Sequence, residues 1–273
     1  MHKNIDDVEF TVFDTETTGL EPQSGDRIIE IAAVRLKNQE KIAQFQTLVN
    51  PHREVSEAAF KVNGIAPSML ENAPDIETVM PEFLNFIKDS CLCSYNAAFD
   101  LEFLNNELRL MGKGGLEGVV VVDLLGMARR LIPGLERYSL SFVSEKLGIK
   151  FTQEHRALSD VELTLKLFAK LREVLKTKGI EDFMNFASLF GISAHFLDDI
   201  INQKVSQIQQ AIALGVKLHI RYLSSSNAEV TERQVMPKEI RQDKGRTYLI
   251  GHCFLRKDER SFRVDSILHL EIV

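Results

Sequence analysis

The sequence has no tryptophan and only three cysteines, Cys91, Cys93 and Cys253, among 273 residues. Three thiols cannot build a disulfide framework, so a reducing, cytoplasmic setting is the simplest expectation. Cys91 and Cys93 stand two apart in an apolar run with no second ligand pair, which favours core packing over a metal site. No apolar run approaches the ~18 residues that a membrane span requires, and no membrane is expected among the partners. The opening MHKNIDDVEF has no apolar stretch behind its basic start, so no signal peptide is expected. Internal repeats and low-complexity segments are missing too.

What is present is an ordinary globular composition, 44% hydrophobic and 26% charged, in a chain long enough for two domains. The net charge of −6 argues weakly against nucleic acid, but it is unevenly placed. From residue 201 onward, twelve Lys and Arg face eight Asp and Glu, a net +4 that leaves the first 200 residues at −10. An acidic front therefore precedes a mildly basic tail.

Residues 8–14, 28–37, 41–49, 91–95 and 118–123 read as strands, and the last is nearly free of polar residues, as in a strand covered on both faces. Helical spacing marks 75–88, with Ile76, Val79, Met80, Phe83 and Ile87 on one face and Asp75 as a cap. Further helices are expected over 97–111, 123–131, 139–147 and 155–175. Three strands followed by alternating helices and strands predict an α/β fold: a mixed five-stranded sheet with helices on both sides. The division expected is 1–178 for this domain, 179–203 as a helical linker, and 204–273 as a small β-rich domain.

Three short stretches carry the chemistry. Asp14-Thr15-Glu16-Thr17-Thr18-Gly19 ends the first strand, where alternation points Asp14 and Glu16 the same way. Paired carboxylates repel unless a cation lies between them, and oxygen donors suit Mg²⁺ or Mn²⁺. The competing reading is an acidic, solvated turn. Asp100 follows a buried strand on the first turns of a helix, in Ser94-Tyr95-Asn96-Ala97-Ala98-Phe99-Asp100. His155 precedes Asp160 by five positions at the head of a long helix. Each alone is unremarkable. Together, four carboxylates and one histidine at strand ends and helix starts fit two-metal hydrolysis of a phosphodiester, with the histidine taking a proton from water. Asp123 reads as a helix cap, and Glu30, in an apolar strand, could support the site.

These motifs resemble the DEDDh family of 3′–5′ exonucleases, which includes the proofreading subunit of bacterial DNA polymerase III. GDRIIEIAAVRL, LVNPHREVSEAAFKVNGI, SYNAAFDLEFL and HRALSDVELT look like family segments in the family's order, over about residues 8–175. The resemblance implies an RNase H-like fold. It implies one metal on Asp14, Glu16 and Asp160, a second shared by Asp14 and Asp100, and His155 as general base. Arg156 stands where a sister subtype has tyrosine. Thr17, Gly19 and Leu20 are implied contacts of the terminal nucleotide, with Asn96 and Phe99 along the groove. The implied partners are a single-stranded 3′ end, DNA favoured over RNA, and a DNA polymerase subunit.

IQQAIALGVKLHIRY, ERQVMP, TYLIGHC and RSFRVDSI resemble a WYL domain, an SH3-like β-barrel, with Thr247 where the family has tryptophan. The resemblance places Tyr222, Arg233, His252, Arg256 and Arg263 in a cationic ligand pocket. Two alternative functions are a ligand-sensing regulatory protein that binds nucleic acid and an exoribonuclease that trims RNA.

Overall fold

A computed structural model describes residues 3–152, 156–193 and 195–273. The chain opens with β1 (Phe10–Thr17), β2 (Ile28–Lys37) and β3 (Glu40–Leu48), then α1 (Glu57–Asn63), α2 (Pro67–Leu70) and α3 (Ile76–Ile87). Next come β4 (Cys91–Ser94), α4 (Ala97–Leu110), β5 (Val121–Asp123), α5 (Leu124–Leu131), α6 (Leu140–Lys146) and α7 (Ala157–Thr177). The segment beyond carries α8 (Phe183–Phe190), β6 (Gly191–Ser193) and α9 (His195–Leu214). The chain closes with β7 (Leu218–Leu223), β8 (Val230–Asp243), β9 (Arg246–Cys253), β10 (Asp258–Arg263) and β11 (Ile267–Ile272).

The first sheet runs β3-β2-β1-β4-β5-β6. The β1–β4 and β4–β5 pairings are parallel and the others antiparallel, so the sheet is mixed as expected. All five expected strands are present, and β6 adds a sixth of three residues at the β5 edge. Alternation divides the strand side chains between two cores. Phe10, Val12, Ala32 and Val34 face α5, α7 and α8. Phe13, Ile31, Ala33 and Leu92 face α3 and α4. At the centre of the first core, the Phe10 ring meets Phe168 of α7 at 5.2 Å and Phe186 of α8 at 5.8 Å. Burying each such ring stabilises the fold by about 1.5–3 kcal/mol. The expected linker thus supplies a strand and core aromatics to the first domain.

Residues 218–272 form a five-stranded antiparallel sheet, β10-β9-β8-β7-β11, where the sequence implies a small barrel. A register shift between Pro237 and Glu239 interrupts β8, and α9, begun in the linker segment, buries Ile208 and Ala211 on this sheet. The two units share a core, since Leu223 and Leu268 join the first domain's cluster. Polar ties cross the junction as well: Arg221 Nη2 donates to Lys178 O at 2.8 Å, and Arg130 Nη2 donates to Ser266 Oγ. No described helix is long and apolar enough to cross a membrane.

Candidate metal centre and substrate cleft

Asp14 and Glu16 lie on the α7 face of β1, and α7 brings Asp160 to them. The three carboxylates can offer oxygens that all lie within 4.8 Å of one another. Two devices hold α7 in place. Glu30, opposite Glu16 in the β1–β2 pairing, is fully buried. It accepts from Arg156 Nε at 3.0 Å, Arg156 Nη2 at 2.8 Å and the Ala157 amide at 3.2 Å. Below that anchor, Val161, Leu167, Phe168 and Leu171 bury the helix against the sheet.

Asp100 arrives from the opposite face. Thr15, between the two acids, points toward α4, and its amide and hydroxyl donate to Asp100 Oδ1 at 2.9 and 2.7 Å. Ser94, ending β4, donates to Oδ2 at 2.6 Å. Oδ1 has both lone pairs engaged, while Oδ2 keeps one for a cation or water. Asp123 sets the start of α4. It caps α5 through the Leu125 and Gly126 amides, as expected, and also accepts from the Asn96 and Ala97 amides at 3.1 and 3.2 Å. Asn96 is thereby held with φ at 67° immediately before α4.

The electrostatics favour a cation. Burial, then the charges of Asp100, Glu16, Asp160 and Glu30, hold the Asp14 carboxyl well above the usual carboxylate range. Burial first, then Asp160, Glu30 and Asp100, push Glu16 up to about 8, with a hydrogen bond involving Asn63 pulling the other way. Burial raises Asp100 to about 6 against the hydrogen bonds from Ser94 and Thr15. A divalent ion among these oxygens would offset the repulsion, and an all-carboxylate set suits the hard cations Mg²⁺ and Mn²⁺. His155 lies outside the described residues.

Beside the acids opens a cleft of about 550 Å³, lined by Glu16, Thr17, Gly19 and Leu20, by Ser56 and by Ala59, Val62 and Asn63 of α1, and by Phe99 of α4. Four of the five sequence-predicted contacts line it; Asn96, exposed at the head of α4, does not. Gly19 has a steric reason. A Cβ there would strike the Asp26 carboxylate, which is pinned by Thr18 Oγ1 at 2.9 Å and the Glu21 amide at 3.1 Å. Sequence reasoning missed the α1 wall. Its signals were Ser56, whose hydroxyl caps the helix, and Gly64, which ends it with φ at 66°.

Of the five residues of the implied WYL pocket, Tyr222 and Arg233 meet on one aromatic ring. Tyr222 is buried against Phe262 at 5.2 Å, and Arg233 lies over the same ring at 5.8 Å. His252 alternates with buried Cys253 and so points to the other, exposed face, and Arg256 is exposed in the turn after β9. Arg263 lies at the junction of the two units, paired with Asp265.

Comparison with known proteins finds relatives for both parts of the chain. Residues 203–272 match the WYL domain. The DNA polymerase III PolC-type of Thermotoga maritima is 42% identical over 175 residues, 64% of this chain. That of Staphylococcus epidermidis is 36% identical over 182 residues, 67% of this chain. In both cases the matched segment is only 12% of the relative's length. Among solved structures, Escherichia coli exonuclease I in complex with a dT13 oligonucleotide shares the fold, with a TM-score of 0.58 at 15% identity over 89% of this chain and 55% of its own. Residues 11–168, the stretch that carries all four acids, match the exonuclease model, and the chain therefore belongs to the exonuclease family, with a WYL domain behind its exonuclease domain.

Proposed function

We propose that the chain removes nucleotides from the 3′ end of single-stranded nucleic acid, DNA in preference to RNA, by divalent-metal-dependent hydrolysis in the cytoplasm. The observation that carries this reading is the convergence of Asp14, Glu16 and Asp160 to within 4.8 Å, in the order the family's motif requires. Two bound Mg²⁺ or Mn²⁺ ions would supply activation of the attacking water and neutralisation of charge on the leaving oxygen. Asp14, Glu16 and Asp160 would hold one ion, and Asp100 with Asp14 would support the other. His155 accepts the water's proton, a task suited to an imidazole with an ordinary value of about 6.5. Thr17, Gly19 and Leu20 hold the terminal nucleotide, with Asn96 and Phe99 along the approaching strand.

The preference for DNA rests on the polymerase relatives and on the dT13 ligand of exonuclease I. A DNA polymerase subunit is the proposed protein partner, to be sought by co-purification with the full chain as bait. The chemistry is tested with His155→Ala in saturating Mn²⁺. We expect kcat to fall roughly 10²–10⁴-fold, with metal affinity unchanged. An unchanged kcat would exclude His155 as the base.

A further inference from the structure

Between α5 and the C-terminal sheet lies a second cavity of about 550 Å³. Four arginines reach it: Arg129 and Arg130 of α5, Arg246 at the start of β9, and Arg263 at the end of β10. Two aspartates share the lining, and both are already engaged. Asp123 accepts from four backbone amides. Asp265 is shared by Arg130 and Arg263 and also accepts from Ser266 Oγ at 2.7 Å. Cationic charge therefore exceeds anionic charge around this space. The adjoining cavity, which shares Ser188, Arg246 and Asp265 with it, adds Glu117 and Asp198, so the excess belongs to the α5 side.

The guanidinium groups have unmet capacity. Arg129 and Arg246 are exposed, and neither has a carboxylate partner among the described residues. Arg130 is 8% exposed; Nη1 donates to Leu189 O at 2.9 Å and Nη2 to Ser266 Oγ. Its Nε–H meets no acceptor among the described residues, and the same holds for Nε–H of Arg263. Both Nε atoms are closed off from solvent, so the exposed guanidinium groups of Arg129 and Arg246 are what a ligand meets first. The planar fork of arginine matches the oxygens of a phosphate group, and the volume admits a nucleotide.

We infer that this cavity is a phosphate-binding site built jointly by the exonuclease and WYL domains, for a phosphodiester of a nucleic-acid strand or the phosphate of a free nucleotide. Neither domain holds all four arginines, so the site exists only in the joined chain. It also touches the metal centre's scaffold. Asp123, in its wall, fixes the amides that begin α4, the helix bearing Asp100.

The test uses the full chain in EDTA, where metal-dependent cleavage is off and binding stands apart from the nuclease reading. Two probes are titrated, a fluorescently labelled dT15 oligonucleotide and thymidine monophosphate. The variants are Arg129→Ala/Arg246→Ala, which removes exposed side chains, and Arg263→Gln, which removes the charge and keeps a polar side chain; melting curves check that each folds. For a strand ligand, the double variant weakens dT15 binding about tenfold and reduces the slope of log K against log salt by roughly 1.4, at about 0.7 per lost single-strand phosphate contact; the mononucleotide does not compete. For a nucleotide ligand, thymidine monophosphate binds the wild type, competes with dT15, and loses affinity in the variants. Folded variants that bind both probes as the wild type does would overturn the inference.

Discussion

The Glu30 carboxylate receives Arg156 side-on, with Nε at 3.0 Å and Nη2 at 2.8 Å, 126 residues away in sequence. This pair fastens β2 to the head of α7, the helix that delivers Asp160. Glu30→Gln keeps the shape and removes the charge. We expect a loss of about 1–3 kcal/mol of stability, the usual cost of leaving such a buried partner unsatisfied. Metal affinity should fall with it. Thermal melting and Mn²⁺ titration check this, and an unchanged melting temperature would contradict the anchoring role.

Metal binding should release protons at neutral pH. Glu16, pushed up to about 8, is mostly protonated at pH 7 in the metal-free protein, and coordination requires the carboxylate. Affinity for Mg²⁺ or Mn²⁺ is therefore expected to rise from pH 6 to pH 8 and then level off. Calorimetry in buffers of different ionisation enthalpy reads the proton directly. Buffer-independent heats at pH 7 would count against it.

Removing a ligand should stabilise the metal-free fold. The Asp14 carboxyl is raised above its unfolded value, so the folded state binds this proton more tightly than the unfolded chain does. That contribution is fully present below the ordinary carboxylate value near 4 and is lost as pH rises through the folded value. Asp14→Asn should then melt higher than the wild type in EDTA at pH 8, with little difference at pH 4. An equal or lower melting temperature at pH 8 would refute the repulsion argument.

Much of this architecture was legible in the sequence because the signals were periodic. Phe10, Val12 and Asp14 alternate with Phe13 and Thr15, which revealed both the strand and the shared side of the two acids. The arrival of Asp100 from the opposite face was hidden, because it depends on hydrogen bonds from Thr15 and Ser94 that no spacing encodes. The α1 wall was missed because seven residues give too little periodicity to read. The role of Glu30 as an anchor was only suggested, since its partner lies on a distant helix.

Leu20 offers a test of the cleft that leaves the fold alone. It is 79% exposed in the free protein, so Leu20→Ser should leave the melting temperature unchanged. If the side chain packs on the terminal nucleoside, KM should rise up to about tenfold, equivalent to about 1.4 kcal/mol, with kcat nearly kept. An unchanged KM would remove Leu20 from the substrate contacts.

The central claim is tested most directly by incubating the protein with 5′-labelled single-stranded DNA and RNA, in Mn²⁺ or Mg²⁺ against EDTA, beside Asp14→Asn. The account predicts a ladder shortening from the 3′ end, faster on DNA, present only with metal and absent in the variant. Intact DNA and RNA under every condition, or equal cleavage by Asp14→Asn, would contradict it.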